Sequence, residues 1–288
     1  IYADFFPLVA DGKIRVNPPN PCHPRSHPPR VSKVSKDQNF KMTHQKVAII
    51  TGGGSGIGFA IAKKFTENGW LVYVTGRNLE KLENARNALG ANCRAVQLDM
   101  EALDQIPAFV QKIGVKHGRI DALVNNAGIN MKKPLLEVTD EDFQKVILTN
   151  LTAVFVMSRE VAKVMAAQNS GSIIHISSMA AKYGLPKIIA YSAAKTALEG
   201  MARAMASELS PLGIRVNCIA PGFIVTAMTS KAFESDPERK NRAISRTPMG
   251  KMGDPADVAN AAWFLASDEA GFITGETIRV DGGNAIGF

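Results

Sequence analysis

A short apolar run, Lys46-Val-Ala-Ile-Ile, ends in a dense glycine turn, Thr51-Gly-Gly-Gly-Ser-Gly-Ile-Gly, and passes straight into helical spacing from Ile57 to Asn68. No other feature narrows the possible folds so far. An apolar run without alternation suits a strand buried on both faces, and such strands belong to sheets covered by helices on either side. The rest of the chain keeps that rhythm. Trp70-Leu-Val-Tyr-Val-Thr reads as strand, then helix 78–89, strand 93–98, helix 103–117 and strand 120–124. A long helix is expected over about 140–167, followed by strand 171–177, helix 190–209, strand 214–219 and a short last strand 277–281.

Strands alternating with helices imply parallel pairing through right-handed crossovers. The expected fold class is therefore α/β, a doubly wound, Rossmann-type parallel sheet of about seven strands with helices on both faces. Ligands in such sheets sit beyond the carboxyl ends of the strands, so chemistry is sought in the turn after each strand.

Residues 42–288 are read as one dinucleotide-binding catalytic domain, and residues 1–41 as an extension outside it. The extension carries seven of the fifteen prolines, and its Asn17-Pro-Pro-Asn-Pro-Cys-His-Pro stretch suits neither helix nor sheet interior. Met42 stands four residues before the first strand. The segment is expected to be vector-derived, translated from upstream or disordered. An organelle-targeting peptide is the rival, favoured by its basic residues and opposed by its prolines and by Asp4 and Asp11.

Of the formal charge of +8, about half comes from this extension, with seven Lys/Arg against three Asp. The remainder gives no reason to expect a nucleic-acid partner. No run approaches the length of an apolar membrane span, so no membrane partner is expected. Cys22, Cys93 and Cys218 lack the close spacing of a zinc site or redox pair. They are read as reduced, with a cytoplasmic location and no metal.

The glycine turn admits more than one ligand. A phosphate-loop NTPase requires Lys and Ser/Thr where Phe59 and Ala60 stand, and the strict G-x-G-x-x-G order is absent. Thr-Gly-x-x-x-Gly-x-Gly fits, with Gly52, Gly56 and Gly58; a plain tight turn stays open at this point. Glycines there let the backbone approach a pyrophosphate, and the helix start offers unpaired N–H groups. At the end of the second strand, Val74-Thr-Gly-Arg-Asn holds no carboxylate for a ribose 2′-hydroxyl, whereas Arg77 can meet a 2′-phosphate. This favours NADP(H) over NAD(H), with a solvated arginine as the alternative. Asp99 suits an adenine amino group or, equally, a helix cap.

Two Tyr-x-x-x-Lys pairs occur. Tyr183/Lys187 encloses glycine and proline and is not expected to be helical. Tyr191/Lys195 lies among helix formers, which puts both side chains on one face. A tyrosine near an ammonium can donate and accept a proton at a carbonyl, because the positive charge lowers its pKa.

These pieces, with Asn125-Asn-Ala-Gly128, Asn150, Ser178 and Pro221-Gly222, stand in the order and spacing of a known family. From about Lys46 to Phe288 the chain resembles the single-domain short-chain dehydrogenases/reductases. Ser178 precedes Tyr191 by thirteen residues, the family's separation, which selects it over Ser177. The resemblance implies that Tyr191 is the general acid/base, Ser178 a hydrogen-bond donor to the substrate oxygen, and Lys195 a ligand of the nicotinamide ribose that lowers the tyrosine's pKa. It gives Asn150 a water in a proton relay. Cofactor contacts are implied at Gly52, Ser55, Gly56, Ile57 and Gly58, and at Arg77 and Asp99. Further contacts are Asn126, Ala127 and Gly128, then Tyr191 and Lys195, and last Pro221, Gly222 and Thr226. His175, though a tempting base, is expected to be a packed strand residue.

The substrate loops are expected at 129–134, 179–190 and 223–250, with Thr226 to Arg242 as a helical lid. Lys132 and Lys133 offer charge to an anion. The run from Asn125 to Leu135 is similar to gluconate 5-dehydrogenases, and the overall length and core to 3-oxoacyl-[acyl-carrier-protein] reductases. A keto-sugar or sugar-acid oxidoreductase is preferred, with a catalytically silent nucleotide-binding relative as the reading from another class. The family also implies a small-molecule carbonyl or alcohol substrate and a homodimer or homotetramer.

Overall fold

The computed structural model describes residues 45–234 and 236–287. The expectations for residues 1–41 fall outside the described residues. The first half runs β1 (Val47–Thr51), α1 (Gly56–Glu67), β2 (Leu71–Gly76), α2 (Leu79–Leu89), β3 (Cys93–Gln97), α3 (Gln105–His117) and β4 (Ala122–Asn125). After α4 (Asp140–Ile147) and α5 (Ala153–Gln168) come β5 (Gly171–Ile176), α6 (Ile189–Leu209) and β6 (Ile214–Pro221). Helices α7 (Ala227–Glu234), α8 (Pro237–Ser245) and α9 (Pro255–Ala266) precede β7 (Thr277–Val280).

The seven described strands form one parallel sheet in the order β3-β2-β1-β4-β5-β6-β7. The chain works outward from β1 to β3, then returns to lay β4 against the other side of β1. The crevice opens at this reversal, where crossovers leave in opposite directions beyond the ends of β1 and β4.

Why β1 is apolar throughout is visible in the packing. Val47 and Ile49 enter the cluster shared with α3, α5 and α6, while Ala48 and Ile50 enter the one shared with α1, α2 and α9. All four are fully buried, as a strand covered on both faces requires.

Helix α9 has no counterpart among the elements expected from sequence, although its signal is present. Asp254 and Asp257 form a capping box, and Pro255 occupies the first turn. The apolar run behind it is short and nearly continuous, which periodicity alone assigns poorly. Packing decides it: Phe65 of α1 and Trp70 meet Trp263 of α9 edge to face, with ring centroids 5.3 and 5.6 Å apart. Each such pair contributes about 0.5–1.5 kcal/mol beyond burial.

The long helix expected over 140–167 is also modified. Thr139 and Asp142 cap its start reciprocally, but Leu148–Thr152 is a π-helical turn between α4 and α5. Single π turns are rare and concentrate at functional sites. This one carries Asn150.

Candidate active site

The glycine turn is shaped by close contacts and by left-handed backbone. Gly52 has φ of +67° and Gly56 of +55°, conformations in which a side chain is strained. At Gly58 a Cβ would stand 2.4 Å from the Gly52 carbonyl oxygen and 2.5 Å from Asn126 Nδ2. Gly58 therefore serves the packing of the turn, while Gly52, Ser55, Gly56 and Ile57 line the cavity. Gly53, absent from the expected pattern, is as constrained, with a Cβ placed 2.6 Å from Val74 Cγ1.

Helix α1 begins at this turn with no side-chain cap and no acidic residue in its first turn. Helix α4, by contrast, opens on Asp140, Glu141 and Asp142. The first-turn amides of α1 thus keep their positive end for an anion, as a dinucleotide pyrophosphate requires. The neighbouring turn after β4 is bolted to it. Thr51 Oγ1 accepts from the backbone N–H groups of Asn126 and Ala127, each at 3.0 Å, and Asn126 Nδ2 donates to the Thr51 and Gly52 carbonyls.

A cavity of about 860 Å³ runs along the strand ends from Arg77 and Asp99 past Gly128 to Ser178, Tyr191, Lys195, Pro221, Gly222 and Thr226. Every expected site residue lines it except Gly58 and Asn150, which support its wall. Arg77 is well exposed and lies 3.9 Å from Glu101 Oε1, whose same oxygen accepts from Thr149 Oγ1 at 3.0 Å. Sequence reasoning finds neither Glu101 nor Thr149; they are 48 residues apart and have no shared local pattern. Asp99 lines the cavity, and its Oδ1 accepts from the Glu101 N–H at 3.0 Å within a turn; it caps no helix, since the N-cap of α3 is Asp104. Gly222 is required by the approach of β6 to β7, since a Cβ there would meet Asp281 Cα at 2.8 Å. Thr226 Oγ1 accepts from the Thr229 N–H, which caps the start of α7.

At the other end, three consecutive residues fasten β5 to α6. Ile176 offers its carbonyl to Lys195 Nζ at 2.6 Å. Ser177 Oγ donates towards the Lys195 carbonyl and Glu199. Ser178 lies beside Tyr191 and acts on its hydroxyl, and its Oγ accepts from the Ala180 N–H at 3.1 Å. Adjacent serines thus point to different partners, and only Ser178 meets the tyrosine. Lys195 Nζ lies 5.6 Å from the Tyr191 ring centroid. The second pair shares no helix: Tyr183 donates to Asn284 Oδ1, and Lys187, which lines the same cavity, has φ of +69° in a non-helical loop.

The protonation pattern departs from expectation. Burial pushes the Tyr191 hydroxyl above the usual tyrosine value, opposed by the neighbouring Ser178 side chain. Lys195 is not among the causes of that shift; burial pushes its own ammonium down to about 8. Asn150, buried in the π turn, faces the loop after β4. Its Oδ1 accepts from the Ile129 N–H and its Nδ2 donates to the Ile129 carbonyl, both at 2.8 Å. Its side chain therefore clamps the loop beyond Gly128.

His175 is fully buried on β5 beside Asn125 Nδ2, 3.1 Å away. Burial first, and the Lys195 charge second, hold its imidazole down to about 3. The unfolded chain takes up a proton here below about pH 6.5, whereas the native protein does not. The stability present above 6.5 is thus lost progressively as pH falls towards 3, by about 1.4 kcal/mol per pH unit. His175→Asn should flatten the acid limb of a urea-unfolding series; parallel wild-type and variant limbs would exclude His175 as its source.

Comparison with known proteins places these features in context. Residues 52–285 match the family model described as enoyl-(acyl carrier protein) reductase. A 3α-hydroxysteroid dehydrogenase of Mediterraneibacter gnavus is 40% identical over 249 residues, covering 84% of this chain and 98% of the relative. A 3-oxoacyl-[acyl-carrier-protein] reductase of Thermotoga maritima is 41% identical over 244 residues, with 84% and 98% covered. Among solved structures, a candidate NAD(P)-dependent gluconate 5-dehydrogenase of Beutenbergia cavernae, with NADP bound at low occupancy, superposes with a TM-score of 0.77. It shares 38% identity over 83% of this chain and 96% of its own.

Proposed function

Because the chain belongs to the short-chain dehydrogenase/reductase family of oxidoreductases acting on CH–OH and C=O groups, we propose that it is an NADP(H)-dependent reductase of a keto-sugar or sugar acid. The observation that carries the cofactor preference is Arg77 at the end of β2, exposed and lining the cavity where that strand supplies no carboxylate. An arginine can bond a 2′-phosphate with two donors, and an acid there would repel it. When bound, the nicotinamide supplies or accepts the hydride.

The chain's own groups handle the oxygen. Ser178 and Tyr191 converge on one point of the cavity, where Ser178 orients the carbonyl oxygen and Tyr191 gives it a proton. A hydroxyl kept protonated by burial suits the reducing direction. Lys195 offers its ammonium to the ribose and to the developing charge beside Tyr191. Lys132 lines the substrate end of the cavity, while Lys133 is paired with Asp142 at 2.6 Å. One of the two lysines is therefore positioned for an anionic group, which supports the sugar-acid class. Reduction of a 3-oxoacyl thioester is the second reading, supported by the Thermotoga relative.

Initial rates of NADPH and NADH oxidation on keto-sugar acids, 3-oxoacyl thioesters and simple diketones test all of this. Turnover of the first group with NADPH supports the proposal, and turnover of thioesters alone replaces its substrate class. NADPH binding without turnover of any carbonyl would favour a silent nucleotide-binding protein. Arg77→Asp should weaken NADPH binding by about 10–100-fold and favour NADH, since a charge-assisted hydrogen bond contributes about 1.5–3 kcal/mol. Unchanged NADPH affinity would remove Arg77 from the argument.

A further inference from the structure

Glu199 is buried on α6, one helical turn beyond Lys195 and two beyond Tyr191. A carboxylate in such a place is costly unless it is paired. Its two oxygens have separate partners. Oε1 accepts from Ser177 Oγ at 3.0 Å, and Oε2 accepts from Lys182 Nζ at 2.5 Å. These residues flank the short 3₁₀ turn Met179–Ala181, which Ser178 opens as its N-cap. One side chain thus holds both ends of the segment carrying Ser178, and does so from the helix carrying Tyr191 and Lys195.

We propose that Glu199 is a positioning residue that sets the Ser178–Tyr191 geometry by anchoring residues 177–182 to α6. This rests on Ser178 and Tyr191 acting together on the carbonyl, as proposed above. Among the described residues, Ser178 has no other side-chain tether to that helix than Tyr191 itself. The Ser177 hydroxyl and the Lys182 ammonium supply the missing constraint on either side of it. Lys182 belongs to the loop 179–190 expected to meet substrate, so the same carboxylate couples that loop to the proton donor.

In Glu199→Gln volume is kept but the charge that holds Lys182 is lost; Ser177 Oγ can accept from the amide N–H while donating to the Lys195 carbonyl, so the Lys182 end of the segment is the one released. The experiment compares kcat, the KM for NADPH and amide hydrogen exchange of peptides spanning 177–185 in the NADPH-bound wild type and variant. The anchor predicts faster exchange in those peptides with core strands unchanged. It also predicts a fall in kcat of about 10–100-fold at constant KM for NADPH, the scale of a misplaced reacting group.

A purely structural role is separated by the Ser178→Ala background. If Glu199 acts through Ser178, Glu199→Gln produces no further loss of the residual rate there. An equal loss in both backgrounds, or an unchanged kcat, overturns the proposal. Ser177→Ala, which removes a single hydroxyl, gives the same reading at smaller amplitude should Glu199→Gln fold poorly. If the wild type turns over no carbonyl, the functional reading above fails. The exchange measurement still decides the anchor, which unchanged exchange would overturn.

Discussion

Tyr191→Phe is expected to lower kcat for carbonyl reduction by about 10²–10⁴-fold, the usual contribution of a positioned general acid, and to leave NADPH binding intact. The ring is partly buried on α6, so phenylalanine keeps its packing and its place near Lys195 Nζ. What disappears is the transferable proton and the hydroxyl beside Ser178. Steady-state rates with NADPH, alongside binding followed by cofactor fluorescence, separate the two effects. A variant with near wild-type kcat would assign the proton to another group. The pH profile carries the same information. Burial raises the hydroxyl's pKa above the usual tyrosine value, so reduction should not fall through neutrality on account of Tyr191. Oxidation of the alcohol, which needs the deprotonated form, should rise with pH.

The second large effect is expected at Gly58. Its missing Cβ is replaced by the Gly52 carbonyl and the Asn126 side chain, at distances where no Cβ fits. Gly58→Ala must therefore move the backbone of the turn itself. Overpacking of this kind costs about 1–3 kcal/mol, and displacement of the turn should abolish most NADPH affinity. Gly54→Ala is the internal control. Gly54 has no positive φ and a Cβ there meets its neighbours at 3.5 Å, an ordinary contact. It should keep both melting temperature and affinity. Equal losses at the two positions, measured by thermal unfolding and NADPH titration, would reject the packing argument.

The glycines of this turn mark the limit of what local spacing can reveal. The spacing pattern names Gly52, Gly56 and Gly58, and the structure gives two of them left-handed backbone and the third a contact too close for a side chain. It cannot name Gly53, whose constraint comes from Val74 on the neighbouring strand. Asn150 shows the same limit. Its position in the chain is legible, but the π turn that carries it and the Ile129 backbone it clamps are not. Tyr191 and Lys195 are found because four residues along a helix is a local distance; the burial that raises one and lowers the other is not local.

Resemblance to the family selects Ser178 over Ser177; local pattern in the chain is enough for the alternation of elements, the parallel sheet, the glycine turn and the Tyr191/Lys195 pair. Each of these rests on periodicity, backbone freedom or residue spacing within one or two elements, where the chain is its own ruler. Packing was needed to settle that Ser177 turns to Glu199 while Ser178 turns to Tyr191, and that Glu101 stands between Arg77 and Thr149. It was needed as well to make α9 a core helix. Those outcomes depend on which side chains meet after the crossovers have brought distant strands together, and on the cost of burying a polar group without a partner. Neither quantity exists until the sheet has closed around its helices.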